Sequence, residues 1–482
     1  MKQLSGLDAS FLSIEDANTY GHVSGLAIYD PSTAPGAYGL EAVKRTLEER
    51  MHLLPPYRRR IVEVPFGLDH PYWIEDPNFD LDFHIRHSAV PPPGNRRQLA
   101  EMVARIFARP LDRSRPLWEL YHIEGLERGW VAQLTKVHHC AVDGVSGTEL
   151  LTTLLDLAPE PRKVEPPVRR WRPEPIPTQV EMLGRGLLGV AATPRKGFRL
   201  GRELLRHLPE VTRTLGFELP GARILDRLVG RRGTQMLSEA ATPAPRTLFN
   251  GAITPHRRFA FVDLSLDDVK DVKNALGMTV NDVVMGVCAG ALRRYLESHH
   301  ALPVDPLVAM VPVSVRTQAQ RDTYGNQVSA MTASLHTDVG DPLQRLERIH
   351  ESMLVAKERH HALPATLLQD FTQFAPPAVA ALAARLAARA QASNWMNPPF
   401  NVVISNVPGP RQPLYSAGAR LVSNYPISAI TNGVGLNVTV VSYMDRLDFG
   451  LVSCRELVPD LWDLADSLRD ALDELKVAAK AR

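Results

Sequence analysis

The sequence predicts an α/β protein of two lobes, and three observations carry that prediction. The chain has 482 residues, too many for one ordinary hydrophobic core. Strand-like and helix-like patterns alternate in both halves. The stretch between the halves has a composition of its own. The expected organisation is therefore a first lobe over 1–160, a basic, proline-rich, helical linker over 161–245, and a second lobe over 246–482. No exact internal repeat relates the lobes.

In the first lobe, Val23–Tyr29 reads as a strand, and Leu40–Met51 and Glu101–Ala108 have helical spacing. Trp118–Ile123 and Trp130–His138 read as two strands joined across Glu127-Arg128-Gly129. The chain then passes Asp143-Gly144 into a predicted helix opened by Ser146-Gly147-Thr148-Glu149, a Ser and a Glu three apart in the form of a capping box. Between Pro161 and Gln235 the linker holds sixteen Lys and Arg against seven Asp and Glu, with prolines gathered at its start. Phe198–Arg206 within it reads as a basic amphipathic helix. In the second lobe, Phe259–Leu264 is a strand and Val280–Leu296 a long apolar helix opening at Asn281-Asp282. Leu307–Val315 and Asn401–Ser405 are further strands, and Val434–Tyr443 with Leu447–Val452 a hairpin across Met444-Asp445-Arg446.

Composition excludes several classes. A hydrophobic share of 44% with 22% charged residues is a globular balance, not a disordered one. A net charge of +2 gives no general reason to bind nucleic acid. Cys140, Cys288 and Cys454 are odd in number and far apart, which suits a reducing cytoplasm better than a disulfide framework. The opening residues lack the basic-then-apolar pattern of a signal peptide. The nearest approach to the roughly 18 apolar residues of a spanning helix, Ala375–Ala388, is broken by Arg385. The expectation is a cytoplasmic protein, soluble or peripherally attached.

The chemistry points to His138-His139-Cys140-Ala141-Val142-Asp143-Gly144. This segment lies where a strand gives way to a helix, a place where rigid elements hold a reacting group. Imidazole near its neutral pKa is a suitable general base for an alcohol attacking a thioester. Neighbouring strand residues point to opposite faces, so only one of the two histidines can face a substrate. His139, four residues before Asp143, is the candidate base. Asp143 is placed to fix loop geometry or hold an arginine, and Gly144 to let backbone or ligand approach closely.

His138-His139-x-x-x-Asp143-Gly144 resembles the HHxxxDG motif of the CoA-dependent acyltransferase superfamily, which includes chloramphenicol acetyltransferase and peptide-synthetase condensation domains. The wider pattern resembles the bacterial wax ester synthase/diacylglycerol acyltransferase family. Leu4-Ser5-Gly6-Leu7-Asp8-Ala9-Ser10-Phe11 is similar to its opening, His22-Val23 to its next strand, and Pro116-Leu117-Trp118 to its PLW motif. Asn281-Asp282 is similar to its ND motif, and Ser405-Asn406-Val407-Pro408-Gly409-Pro410 to its late loop. The resemblance implies two chloramphenicol-acetyltransferase-like lobes with a tunnel at their interface. It implies a long-chain acyl group moved from acyl-CoA, a co-substrate and not a cofactor, to diacylglycerol or a fatty alcohol. The transfer would be direct, with His139 as base, Asp143 as structural partner and His138 in support. Asp448-Phe449-Gly450 resembles the start of the DFGWG element of plant alcohol acyltransferases, with Leu451 in place of the tryptophan.

Plainer readings stand beside these. Asn281 and Asp282 either cap their helix or line the tunnel near the thioester. Trp118 either shapes the acyl pocket or belongs to the core. Ser314 and Arg316 are candidate ligands for CoA polar groups, or Arg316 for Asp143. Cys140 occupies a variable slot of the motif and points away from the base, against a covalent mechanism. No metal-ligand spacing accompanies the histidines. Gly184-Arg185-Gly186-Leu187-Leu188-Gly189 matches the dinucleotide fingerprint but follows no strand. The basic linker is either a solvated surface or a docking face for an anionic membrane or lipid droplet. Two other functions share the motif: a condensation-type enzyme using a carrier-protein thioester, and a non-catalytic relative that binds lipid droplets. Acceptor preference and oligomeric state are not encoded in any motif.

Overall fold

The computed structural model describes residues 1–141, 152–167, 171–189, 244–314, 328–362 and 397–481. The expected capping box at 146–149, the basic helix at 198–206, most of the linker and the Ala-rich stretch at 375–388 lie outside these residues.

Two six-stranded sheets dominate the chain. The strands of the first half are β1 (Lys2–Gln3), β2 (His22–Asp30), β3 (Arg59–Val62), β4 (Tyr72–Glu75), β5 (Ile85–Ala89), β6 (Trp118–Glu124) and β7 (Val131–His138). Those of the second half are β8 (Arg257–Ser265), β9 (Val308–Ser314), β10 (Val328–Ser334), β11 (Val402–Val407), β12 (Tyr415–Ser416), β13 (Ala419–Ile427), β14 (Leu436–Tyr443) and β15 (Arg446–Cys454). The helices are α1 (Gly6–Ser13), α2 (Leu40–Arg50), the single turn α3 (Leu81–His84), α4 (Arg96–Phe107), α5 (Leu266–Leu276), α6 (Val280–Ser298), α7 (Pro342–Ala362) and α8 (Leu461–Lys480).

The first sheet has the order β12-β13-β2-β7-β6-β5, the second β10-β9-β11-β14-β15-β8, and β1-β4-β3 form a small third sheet. Residues 415–427 thus leave the second half of the sequence to pair with the first. β13 runs antiparallel along β2, with Tyr29 opposite Leu421 and Ser24 opposite Ile427. The two sheets are fastened where β13 meets β15. The Asn424 amide donates to the buried Asp448 carboxylate at 2.7 Å, and a Cβ on Gly450 would lie 1.7 Å from the Pro426 carbonyl. Only glycine permits that approach. The Asp448-Phe449-Gly450 element is therefore a junction between sheets in this chain. Burial pushes the Asp448 carboxyl up to about 6, against the pull of Arg446.

β7 shows how the pattern folds. Ala132 and Leu134 share a face and pack with Leu99, Val103 and Phe107 of α4. Val137, on the other face, packs with Val43 and Leu47 of α2. The expected helix at Val280 begins one residue after its cap, Thr279. That hydroxyl accepts from the Asp282 amide at 3.2 Å, while the Asp282 carboxylate accepts from the Thr279 amide at 2.9 Å. Asn281 and Asp282 lie inside the first turn. The β14–β15 hairpin turns on Met444 and Asp445 alone, because Arg446 already pairs with Tyr443. The Gly-x-Gly-x-x-Gly match falls inside a helix over 179–189, where no phosphate-cradling turn exists. No single described helix is long and apolar enough to cross a membrane.

Candidate active site

β7 ends where β6 begins, so the two strongest motifs are neighbours: the His138 amide donates to the Leu117 carbonyl of Pro116-Leu117-Trp118 at 2.9 Å. Past His138 the chain turns, with the Ala141 amide returning to the His138 carbonyl at 2.9 Å. His22 of β2 lies directly opposite His138.

The two histidines have different surroundings. His138 is 1% exposed; its Nδ1 accepts from the Cys140 amide at 3.1 Å, and its Nε2 lies 3.2 Å from Glu15 Oε1. His139 is half-buried, and its ring stacks on Phe11 with centroids 4.1 Å apart and planes 14° from parallel. The opening motif explains Phe11. Ser5 caps α1 by accepting from the Asp8 amide at 3.1 Å, and Ala9 and Leu12 bury one face beside Ile61, Leu111, Leu117 and Cys140. A short capped helix thus presents Phe11 to the histidine that follows β7.

Gly21 sits at the centre. Its amide donates to Glu15 Oε1 at 2.7 Å, and its carbonyl accepts from the His139 amide at 2.9 Å. A Cβ there would meet His138 Nε2 at 2.6 Å and the Phe11 carbonyl at 2.7 Å. Arg113 Nη2 donates to Glu15 Oε2 at 2.6 Å and to the Leu12 carbonyl at 2.8 Å. Burial raises the Glu15 carboxyl, but His138, Arg113 and the Gly21 amide outweigh it and hold the group down at about 2.

Buried polar groups continue along the same face. His22 Nε2 lies 2.8 Å from the Phe107 carbonyl at the end of α4, and burial drives its pKa well below the usual range. Lys136 is fully buried, bonds the Arg109 carbonyl and lies 3.8 Å from Glu119. Desolvation pushes its ammonium down to about 8. Burial pushes the Cys140 thiol up, with Asp8 and Glu15 adding to it, which disfavours the thiolate a covalent mechanism needs. Further along the chain, Asp156 is held through both carboxylate oxygens by Arg50 of α2 at 2.7 Å, and both side chains are 1–2% exposed. Asp156 also exchanges two backbone hydrogen bonds with Tyr415 of β12, each of 2.8 Å.

The other expected residues fall elsewhere or outside the described residues. Asn406 of the late loop donates to Asn281 at 3.3 Å, so the ND and late-loop segments meet. Asp282 is buried, engaged by its capping box and by His350 Nδ1 at 2.8 Å. Trp118 is 1% exposed, donates to the Tyr57 carbonyl at 2.8 Å and stacks on His84 at 4.4 Å, the surroundings of a core residue. Ser314 ends β9 with its side chain undescribed, and Asp143, Gly144 and Arg316 lie outside the described residues. Sequence reading missed Glu15, Gly21, Arg113, Arg50 and Asp156. The single signal for any of them is Gly21-His22 at the head of the strand that pairs with β7.

Comparison with known proteins identifies the family. Residues 4–284 match the wax ester synthase/diacylglycerol acyltransferase catalytic domain, and residues 324–476 match the C-terminal domain of the same family. A putative diacylglycerol O-acyltransferase of Mycobacterium tuberculosis is 39% identical, covering 98% of this chain and 90% of its own. A probable diacylglycerol O-acyltransferase of the same organism is 37% identical, covering 98% of each. The solved wax ester synthase/diacylglycerol acyltransferase of Marinobacter aquaeolei superposes with a TM-score of 0.68 at 33% identity, over 99% of this chain and all of that one. A starter condensation domain of rhizomide synthetase, at 13% identity and a TM-score of 0.55, shares the fold over 99% of this chain and 94% of its own. The chain belongs to the wax ester synthase/diacylglycerol acyltransferase family.

Proposed function

We propose that this enzyme moves a long-chain acyl group from acyl-CoA to a hydroxyl acceptor, diacylglycerol or a fatty alcohol, with His139 as general base. The division of labour between the histidines carries the reading: His138 is buried with Nδ1 engaged, whereas His139 is half-buried on a turn with its ring face against Phe11. In the step, the acceptor hydroxyl gives its proton to the His139 ring as its oxygen bonds the thioester carbonyl carbon. The tetrahedral oxyanion then collapses and the C–S bond breaks. The CoA sulfur leaves with the bonding pair as a thiolate, a good leaving group because its thiol has an ordinary pKa near 8.5, and takes up the proton held on the His139 ring. The role of Asp143 as structural partner belongs to the same proposal, as do contacts of Asn281 with the thioester region and of Ser314 and Arg316 with CoA.

Purified protein incubated with radiolabelled palmitoyl-CoA and either hexadecanol or dioleoylglycerol tests this directly. Labelled ester formed by the wild type and reduced on the order of 100-fold or more in a folded His139→Ala variant is the expected result. CoA release without ester would indicate a thioesterase or an acceptor other than the two supplied. No release from folded protein would favour a carrier-protein thioester as donor or a non-catalytic, lipid-binding role.

Peripheral docking on a lipid surface is the second part of the proposal, since these acceptors are insoluble in water. Along the helix over 179–189, Met182 and Gly186 face inward, the latter against Val64 and Leu68. Val180, Leu187 and Leu188 face outward at helical spacing, and Phe66, on the loop that the helix packs against, is 84% exposed. Co-sedimentation with phosphatidylcholine/phosphatidylglycerol vesicles, lost in Phe66→Ser/Leu188→Ser, is expected. Equal partition of variant and wild type would remove the surface from consideration.

A further inference from the structure

We infer that Glu15 and Arg113 are positioning residues of the acyl-transfer site: they hold the His138 ring in one tautomer, and that tautomer shapes the turn that presents His139. The inference rests on the reading of His139 as base. It begins with a backbone group, because an amide N–H can only donate. The Cys140 amide lies 3.1 Å from His138 Nδ1, so Nδ1 carries a lone pair and the neutral ring carries its proton on Nε2. Nε2 faces Glu15 Oε1 at 3.2 Å. The approach is oblique, which makes the contact chiefly electrostatic. A carboxylate held ionised by Arg113 and by the Gly21 amide is the partner that favours a proton on Nε2.

The same carboxylate reaches both flanks of His139. On one side it fixes Gly21, whose carbonyl accepts the His139 amide at 2.9 Å. On the other it orients the His138 ring, which accepts the amide of Cys140. The backbone carrying the proposed base is tied down immediately before and after its side chain. Were the ring to take the other tautomer, Nδ1–H would meet the Cys140 N–H, donor against donor, and the turn would have to move. At 1% exposure no solvent relieves that conflict. Arg113 supplies rigidity by bonding Glu15, Glu63 and the last turn of α1 at Leu12, from the loop beyond α4.

Full-length Glu15→Ala, Glu15→Gln and Arg113→Lys variants test this. Steady-state rates with palmitoyl-CoA and an alcohol acceptor give kcat and KM. Spectra of 15N-histidine-labelled protein, with His138 assigned from His138→Gln, give the tautomer. The wild-type His138 ring should read as Nε2–H. Glu15→Ala should lower kcat by on the order of 30- to 100-fold, with KM for acyl-CoA changed less than about threefold, as expected for a misplaced base. It should also lose the pure Nε2–H signature. Glu15→Gln, which keeps the side chain's shape but removes the charge facing Nε2, should recover only part of the rate and of the signature. Arg113→Lys, which keeps the carboxylate, should lie closer to the wild type.

A folded Glu15→Ala with wild-type kcat overturns the inference, as does a slow one whose His138 remains purely Nε2–H. If Glu15→Ala does not fold, the other two variants decide: wild-type rate and signature in both, or failure of isosteric Glu15→Gln to fold, likewise overturn it. A wild-type chain without transferase activity would sink the functional reading instead, and the ring signature would still report on the tautomer.

Discussion

The end of β7 and the core around α6 are built from opposite materials. Around β7 the first sheet buries His22, Lys136, His138, Glu119 and Gln133, each tied to a carbonyl, carboxylate, hydroxyl or amide. Around α6 the second sheet buries Val283, Val284, Val287, Ala291 and Leu292 against Ile349, Leu468 and Leu472. Apolar packing tolerates modest change because it has no direction, whereas a buried polar network must be satisfied throughout. The contrast fits the proposed site. Groups that cost free energy to bury gather beside the proposed base, where a reacting side chain needs a fixed direction, whereas the packing around α6 is chiefly apolar.

The largest effect should come from breaking a polar pair while leaving its partner buried. Arg50→Ala leaves the buried Asp156 carboxylate with only the Arg162 amide at 3.3 Å and the Arg162 guanidinium at 3.8 Å, and should cost about 3–5 kcal/mol in urea unfolding, a value typical of a broken buried ion pair. Survival of that variant with a loss below about 1 kcal/mol would mean that the first sheet is as forgiving as the second.

Leu292→Ala, in the apolar core, should cost about 2–4 kcal/mol by the same measurement. The folded fraction should keep its kcat. A fall in kcat larger than the loss of folded protein would show that the apolar core is coupled to the site.

Glu15 gives a pH signature. Its folded pKa, about 2, lies below the ordinary value of 4.5, so its contribution is present above about pH 4.5 and is lost as pH falls toward 2. Glu15→Gln should remove up to about 3 kcal/mol at neutral pH and flatten the acid limb of stability between pH 4.5 and 2. An unchanged acid limb would show the carboxylate to be unpaired in solution.

The smallest effect belongs to Cys140→Ala, which removes a buried thiol raised out of the reactive range. Acyl transfer should change less than about threefold, and stability by about 1 kcal/mol. An inactive, well-folded variant would revive the covalent mechanism.

What the sequence disclosed follows the reach of each signal. Short apolar runs and turn residues located β2, β6, β7, β8, β9 and β11 to within a few residues, because strand and turn preferences are local. His138 and His139 were legible as a pair, but strand alternation does not account for their unequal exposure, because β7 ends at His138 and His139 lies on the turn that follows. Thr279 was overlooked as a cap because Asn281 and Asp282 are equally good N-terminal residues; only the hydrogen bonds choose. The pairing of β13 with β2 has no local signature, since nothing in Ala419–Ile427 names its partner. Glu15, Gly21 and Arg113 were illegible for the same reason. They meet only after α1, β2, β7 and the loop beyond α4 have packed.

The exchange of β12 and β13 into the first sheet bears on how the chain is made. β7 is complete at residue 138, but the neighbour that covers the free edge of β2 begins at residue 419. At about 5–20 residues per second, the ribosome would leave that edge open for on the order of tens of seconds. An uncovered edge offers its amides and carbonyls to any passing strand. The nascent first lobe is thus a client for whatever shields emerging chains in the cell. A gene cut between the two family regions would yield a first half with the strand beside its candidate histidines permanently unpaired, and that half should be recovered from inclusion bodies.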